Sequence, residues 1–206
     1  MNRIAVLCGT GMSAFPESLS SLVESRSELI FAESEWGEVP IKVVNTATGV
    51  VFVIDRHHSP GDSRTPPHAI GHRANVHAAL SCNPDLIVSV NSVGSMIQTM
   101  PPGTIGVGGG LLDLSEKPWT FHDVDAFHSD RTNPFNSYYS DLCVDTLSKK
   151  QGRTPSGVVV AQCVGPQFET PQEIDALERL GANVVGMTLG PEQRLISELG
   201  IPHVSL

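Results

Sequence analysis

Apolar and β-branched residues gather along this chain in short runs separated by polar or Gly/Pro-rich turns: Ile4 to Leu7, Ile41 to Val44, Val50 to Ile54, Leu86 to Val90, Val158 to Ala161 and Val184 to Met187. Runs this short, bounded by turn residues, predict buried strands. Helical periodicity lies between several of them. Over 170–181, Thr170 reads as an N-cap, Pro171 takes the first helical position and Glu173 completes a capping box. Ile174, Leu177 and Leu180 then share one face, and Gly181 ends the helix. The same grammar repeats from Pro191 to Gly200, with Leu195, Ile196 and Leu199 facing inward, and a third helix is predicted from His68 to Cys82.

Strands alternating with helices predict an α/β fold with a mixed, mostly parallel central sheet flanked by helices. At 206 residues the chain fits one domain, 1–206. No internal repeat, low-complexity tract or linker interrupts it. Residues 112–137, rich in Asp, His, Asn and Pro, show no period and predict a long surface loop, which in a compact domain is often functional.

Charge narrows the partners. The chain carries 13 Lys plus Arg against 22 Asp plus Glu, a net of −9, a balance that argues against nucleic acid or an anionic membrane, since both need a basic face. A small anion is still compatible, because a few backbone amides and one arginine can bind phosphate inside an acidic protein. Cys8, Cys82, Cys143 and Cys163 form no CxxC pair, which argues against a zinc ribbon or a disulfide scaffold. Met1 runs straight into strand-like residues without a signal-like segment, and no apolar run approaches a membrane span. The expectation is a cytoplasmic protein.

Three segments combine chemistry-bearing residues with predicted strand ends. Cys8-Gly9-Thr10-Gly11 follows the first strand; its glycines allow a sharp turn that presents amides, and Thr10 adds a hydroxyl, so the segment suits an anion or is only a tight turn. It lacks the third glycine of GxGxxG and the lysine of a Walker loop. Asp55-Arg56-His57-His58 follows the strand Val50 to Ile54, where a planar guanidinium fork and an imidazole suit phosphate oxygens; an Asp55–Arg56 surface ion pair is the plainer alternative. In the run 89–95, small polar residues including Asn91 and Ser92 break a buried strand and either let a ligand approach closely or form an ordinary strand-to-loop turn. His68 and His72 stand four apart on a predicted helix, but no HExxH and no third ligand accompany them, so no metal site is expected.

Taken together, CGTGM (8–12), RHH (56–58), TPPHAIGHRANVHAAL (65–80), VNSVGS (90–95), GPQFETPQEI (165–174) and GANVVGMTLGPEQRLISELGI (181–201) resemble, in one order over nearly the whole chain, the trimeric nucleoside phosphorylase family that includes methylthioadenosine and purine nucleoside phosphorylases. The resemblance implies phosphate-binding positions at Thr10, Arg56, His57, Asn91, Ser92 and Thr188. It implies that Phe168 and Met187 line the sugar and base pocket and that Glu169 hydrogen-bonds the base. His57 and His58 become candidate catalytic residues; His58, where methylthioadenosine-type relatives have glycine, is similar to the histidine of the purine nucleoside branch. Those relatives also show tyrosine at the position of His72 and arginine at that of Gln167.

The implied reaction is phosphorolysis of a purine nucleoside or its methylthio analogue, with inorganic phosphate as co-substrate and no metal or organic cofactor. Positive charge develops on the sugar as the glycosidic bond stretches, and a phosphate held beneath the anomeric carbon stabilises that charge and attacks it. A homotrimer is implied, with the aromatic loop around Trp119, Phe121 and Phe127 as its candidate interface. Two other readings keep the fold: a nucleosidase using water, and a nucleoside-binding protein without turnover. Ile201 to Leu206 read as the opening of another strand. In the resembling family that strand continues to an Asp or Asn that contacts the purine, followed by a C-terminal helix. The expectation is therefore a chain lacking that strand end and helix, impaired or incomplete, with base specificity in sequence beyond Leu206.

Overall fold

A computed structural model of the protein describes residues 2–61 and 63–206. Ten strands form two sheets among these residues. The larger has the order β10-β5-β1-β4-β3-β2, built from β1 (Asn2–Cys8), β2 (Ser27–Ala32), β3 (Val39–Asn45), β4 (Gly49–Asp55), β5 (Leu86–Ser89) and β10 (His203–Ser205). The smaller has the order β6-β9-β8-β7, built from β6 (Gly94–Ser95), β7 (Gly108–Asp113), β8 (Val158–Gln162) and β9 (Val184–Gly186). The α/β fold with mixed, mostly parallel strands that the sequence predicts is present, with the strands divided between two ladders. The ladders β10–β5, β5–β1, β1–β4, β7–β8 and β8–β9 are parallel, whereas β2–β3, β3–β4 and β6–β9 are antiparallel.

All six predicted apolar runs lie on strands. Strands β4 and β8, buried along nearly their whole length, need no alternation and read as continuous apolar runs, whereas β3 alternates and turns Lys42 toward solvent. The helices α1 (Phe15–Leu22), α2 (His72–Ser81), α3 (Ser137–Gln151), α4 (Pro171–Arg179) and α5 (Leu189–Ser197) complete the fold. In the larger sheet Leu7, Ile41, Ile54 and Ile87 pack with Val76 of α2 and Leu195 and Ile196 of α5 in one dry cluster. Val158, Val160, Val184 and Leu189 form a second cluster with Met100 and Phe135.

Several boundaries differ from expectation. The helix predicted from His68 begins at His72, because Ile70 (ψ 131°) and Gly71 (ψ 68°) leave helical space; Pro67–Ala69 is a single 3₁₀ turn. Helix α5 starts at Leu189, before Pro191. A proline in the first turn costs little there, since its missing N–H would lack an intrahelical partner anyway. The neighbouring Gly190 amide donates to Gln162 Oε1 at 2.8 Å. Strand β7 runs into the predicted loop as far as Asp113, leaving 114–136 irregular. Helix α4 has the predicted capping box, but Leu180 is exposed, so only Ile174 and Leu177 reach the core.

Candidate functional site

Parallel pairing aligns the ends of neighbouring strands. Cys8 of β1 pairs with Asp55 of β4, Leu7 with Ser89 of β5, and Ser89 with Ser205 of β10. The segments that follow these ends, 9–12, 56–58 and 90–95, therefore emerge side by side, where ligands bind in open parallel sheets. Two further segments converge from the smaller sheet, 163–169 after β8 and 187–188 between β9 and α5. Together they enclose a cavity of about 490 Å³ lined by Thr10, Arg56, His57, Ser92, Phe168, Glu169, Met187 and Thr188, along with Pro67, Val93, Gly94, Pro166, Val185 and Gly186. Residues up to 178 positions apart in sequence meet here, and all but two of the sequence-predicted site residues line it.

Arg56 is the most constrained of them, with 2 % of its surface exposed. Its Nε donates to Glu192 Oε1 at 2.5 Å and its Nη2 to Glu192 Oε2 at 3.2 Å and to the Leu7 carbonyl at 2.8 Å; Nη1 donates to the Val90 carbonyl at 2.8 Å. A guanidinium has five N–H donors, so one on Nη1 is uncommitted. The ion pair considered from sequence, Asp55 with Arg56, does not form. Asp55 instead receives Arg64 in a bidentate pair at 2.9 and 3.0 Å and accepts the His57 amide at 3.0 Å, which folds the loop after β4.

Gly9 lets this cluster close. A Cβ placed on it would lie 2.8 Å from Arg56 Nη1 and 3.2 Å from His57 Nε2. Gly11, with φ +85°, supplies the left-handed conformation in the same loop, whose Met12 amide donates back to the Gly9 carbonyl at 3.0 Å. His57 is buried, and its Nδ1 donates to the Thr65 carbonyl at 2.7 Å. In the neutral ring this leaves the Nε2 lone pair toward Gly9 and the cavity; on protonation Nε2 becomes a donor.

Two candidates are placed differently from expectation. His58, expected to be catalytic, does not line the cavity: its Nε2 donates to Asn75 Oδ1 at 3.0 Å, and Asn75 Nδ2 donates to the Arg56 carbonyl at 3.1 Å. This ring braces the backbone beneath Arg56. Asn91, expected to contact phosphate, lies behind Thr188 and donates from Nδ2 to Thr188 Oγ1 at 2.7 Å. It faces a neighbouring apolar cavity of about 690 Å³ lined by Met12, Phe15, Val90 and Met100. Ser92 Oγ donates to the Thr10 carbonyl at 3.0 Å and so ties the two strand-end loops together.

The opposite wall is built for a flatter, less polar group. Phe168 is 88 % exposed while lining the cavity, and Met187 sits beside Gly165, where a Cβ would meet its Sδ at 2.5 Å. Glu169 lies close to Cys163, whose thiol is pushed up to about 11 by burial and by that carboxylate. Burial likewise raises Cys8 to about 11, against the opposing charge of Arg56, and its Sγ donates to the Ile54 carbonyl. At neutral pH neither is a thiolate nucleophile. Among the described residues, no three His, Cys, Asp or Glu side chains group closely enough to hold a metal ion, and His72 is buried edge-on against Trp119.

Sequence reasoning missed Glu192. It is fully buried on α5 and lies 136 positions from the arginine it holds, so nothing local marks it. An acidic residue on a helix face otherwise occupied by Leu189, Leu195 and Ile196 was the available signal. Of the residues proposed from sequence for an interface, Trp119 and Phe121 are partly buried against the core of the larger sheet and Phe127 is half-exposed.

The chain is similar to known proteins over nearly its whole length. The chain is 34 % identical over 204 residues to a protein of Methanothermobacter thermautotrophicus named as a probable S-methyl-5'-thioinosine phosphorylase, covering 98 % of this chain and 69 % of that one. It is 33 % identical over 217 residues to the 6-oxopurine nucleoside phosphorylase of Pyrococcus furiosus, covering 100 % and 78 %. Among solved structures, a methylthioadenosine phosphorylase from an antarctic soil metagenomic library superposes with a TM-score of 0.84 at 22 % identity, covering 99 % of this chain and 71 % of that one. The tubercidin complex of methylthioadenosine phosphorylase from Schistosoma mansoni gives 0.85 at 18 % identity, covering 100 % and 78 %; these two likenesses establish the fold. With residues 3–206 matching its family pattern, the chain belongs to the phosphorylase superfamily.

Proposed function

We propose that this protein is a nucleoside phosphorylase that transfers the sugar of a purine nucleoside or a 5'-methylthio nucleoside from the base to inorganic phosphate. One observation carries the reading: the residues suited to an oxyanion (Thr10, Arg56, His57, Thr188) and those suited to a sugar and base (Phe168, Glu169, Met187) line a single cavity. The anion wall offers the free Arg56 N–H, the Thr10 and Thr188 hydroxyls and His57 Nε2, the last as an acceptor for a phosphate O–H in the neutral ring and as a donor in the protonated one. A phosphate held there sits beneath a sugar packed on Met187, so positioning and electrostatics supply the rate. Inorganic phosphate is the co-substrate in this reading, and no organic cofactor takes part. Relatives named for 6-oxopurine nucleosides and methylthioinosine favour a 6-oxopurine base.

The decisive assay measures release of free base from inosine, guanosine, methylthioinosine and methylthioadenosine, with and without phosphate. Phosphate-dependent release with formation of a sugar 1-phosphate is the expected result. Equal release without phosphate would identify a nucleosidase, and nucleoside binding without release a binding protein.

We further propose that residues 1–206 belong to one domain and that the protein assembles as a homotrimer in the cytoplasm, without nucleic-acid or membrane partners. Among the described residues no helix is long and apolar enough to cross a membrane. Exposed Leu29, Phe31, Val124 and Phe127 are available for subunit contacts. Light scattering at micromolar protein is expected to give three times the chain mass; a monomer mass would refute the trimer.

A further inference from the structure

Behind the anion wall a chain of buried polar groups crosses the larger sheet. Ser89 of β5 and His203 of β10 lie on adjacent strands, and Glu192 on α5 covers them; all three are at least 96 % buried. Ser89 Oγ donates to Glu192 Oε2 at 2.8 Å. Its only proton is thereby used, so His203 Nε2, 2.9 Å from the same oxygen, must be the donor to it. That fixes the tautomer and leaves His203 Nδ1 as a buried acceptor without a partner. Burial, reinforced by the charge of Arg56, lowers His203 to about 3, so the ring is neutral at any working pH. The donors therefore run in one direction, from His203 to Ser89 to Glu192, and end on the carboxylate that also accepts Arg56.

We infer that Glu192, pinned by Ser89 and His203, is a positioning residue for the oxyanion site: it holds the Nε and Nη2 edge of Arg56 so that the one free Nη1–H faces the Gly9 loop. Phosphate itself does not touch this carboxylate. The stereochemistry requires two acceptor atoms at that edge. An amide offers one, and in either orientation its NH₂ is set against an Arg56 N–H, at the contact now 2.5 Å long or at the one now 3.2 Å long. The guanidinium must then turn away from its two backbone carbonyls or from the cavity.

This inference rests on the proposed phosphate site, and the experiment separates the two. Calorimetry with inorganic phosphate, and separately with a purine nucleoside, is run on the wild-type protein, Glu192→Gln and Ser89→Ala, with thermal melts to establish folding. We expect Glu192→Gln to weaken phosphate binding by about tenfold or more, as for loss of a charge-assisted contact, and Ser89→Ala to weaken it less but in the same direction. Nucleoside affinity should change by less than roughly twofold, since a general loosening of the fold would move both ligands. In turnover the same split should show in the KM for phosphate against the KM for nucleoside. Unchanged phosphate affinity in folded variants would overturn the inference and leave the proposed function standing. Tighter phosphate binding in Glu192→Gln would also overturn it, because Glu192 would then be only a counter-charge. If Glu192→Gln does not fold, Ser89→Ala decides alone, with weaker phosphate binding supporting the inference and unchanged binding overturning it. A wild-type protein that binds no phosphate would overturn both readings.

Discussion

The amide of Asn91 donates to the Thr188 hydroxyl at 2.7 Å, which turns the hydroxyl proton away from Asn91 and leaves it available to a ligand in the cavity that Thr188 lines. Thr188 caps α5 without bonding the helix amides through its side chain, so its hydroxyl is not spent locally. We predict that Thr188→Val, which keeps the shape and removes the donor, weakens phosphate binding by about 0.5–1.5 kcal/mol, up to roughly tenfold. Asn91→Ala frees the hydroxyl to rotate and should give a smaller loss in the same direction. Titration of each variant with phosphate checks the order, and a larger loss in Asn91→Ala would place the contact on Asn91 itself.

Gly9→Ala should damage the site while sparing the fold. Its Cβ would approach Arg56 Nη1 to 2.8 Å and His57 Cδ2 to 3.1 Å. A flexible side chain would swing aside, but four hydrogen bonds hold Arg56 in place. Arg56→Ala is a poorer probe, because it strands a fully buried Glu192 carboxylate, a cost of about 3–5 kcal/mol. Phosphate affinity of Gly9→Ala should fall at least fivefold or so, the equivalent of one hydrogen bond, with the melting temperature nearly unchanged. Unaltered affinity would mean that the loop opens freely and is no cradle.

The legible parts of this molecule were those whose signal is local. Strand β1 and its glycine turn, the Thr170 capping box and the strand-end placement of Arg56 and His57 all follow from a few adjacent residues. Strand β2 escaped because every residue from Ser27 to Phe31 is exposed, so burial imposed no pattern on it. Helix α3 likewise buries no residue fully, and Tyr138 and Leu142 face outward, which blurs its period. Strand β7 opens on Gly108-Gly109-Gly110, so no β-branched or apolar run marked its start. The placement of His58 against Asn75 and of Asn91 against Thr188 was not legible, because motif position puts a residue near a site but does not say which neighbour its side chain meets. Glu192 shows the same limit from the other side, since its partner is set by tertiary packing alone.

Thr170→Ala should loosen the nucleoside wall more than the phosphate wall. The Thr170 hydroxyl accepts the Glu173 amide, and the Glu173 carboxylate accepts the Thr170 amide and hydroxyl. Loss of such a cap costs about 1 kcal/mol. The residues just before it are Phe168 and Glu169, so fraying at α4 reaches the base side of the cavity first. A raised nucleoside KM with phosphate KM unchanged is the expected split; equal rises in both would show that α4 does not set that wall.

Acid should destabilise the protein through two buried histidines. Burial, then the positive charge of Arg56, lowers both His72 and His203 from the ordinary 6.5 to about 3. Unfolded, each ring takes a proton as pH falls below about 6.5; folded, each stays neutral until about pH 3. Between these limits the unfolded chain binds more protons, so stability is full above pH 6.5 and declines as pH falls toward 3. His72 is the separable contributor, because it lies outside the Glu192 chain and packs edge-on against Trp119 at 5.0 Å with its Nδ1 unpartnered. His72→Phe keeps an aromatic ring at that contact and removes the titrating group. Melting temperatures measured at pH 7.5 and pH 5.0, above the range where carboxylates dominate, should fall in the wild type. In His72→Phe the fall should be about half as large, since one of two similar contributors is gone. An undiminished fall in the variant would mean that His72 is protonated in the folded protein and that its burial does not control the acid response.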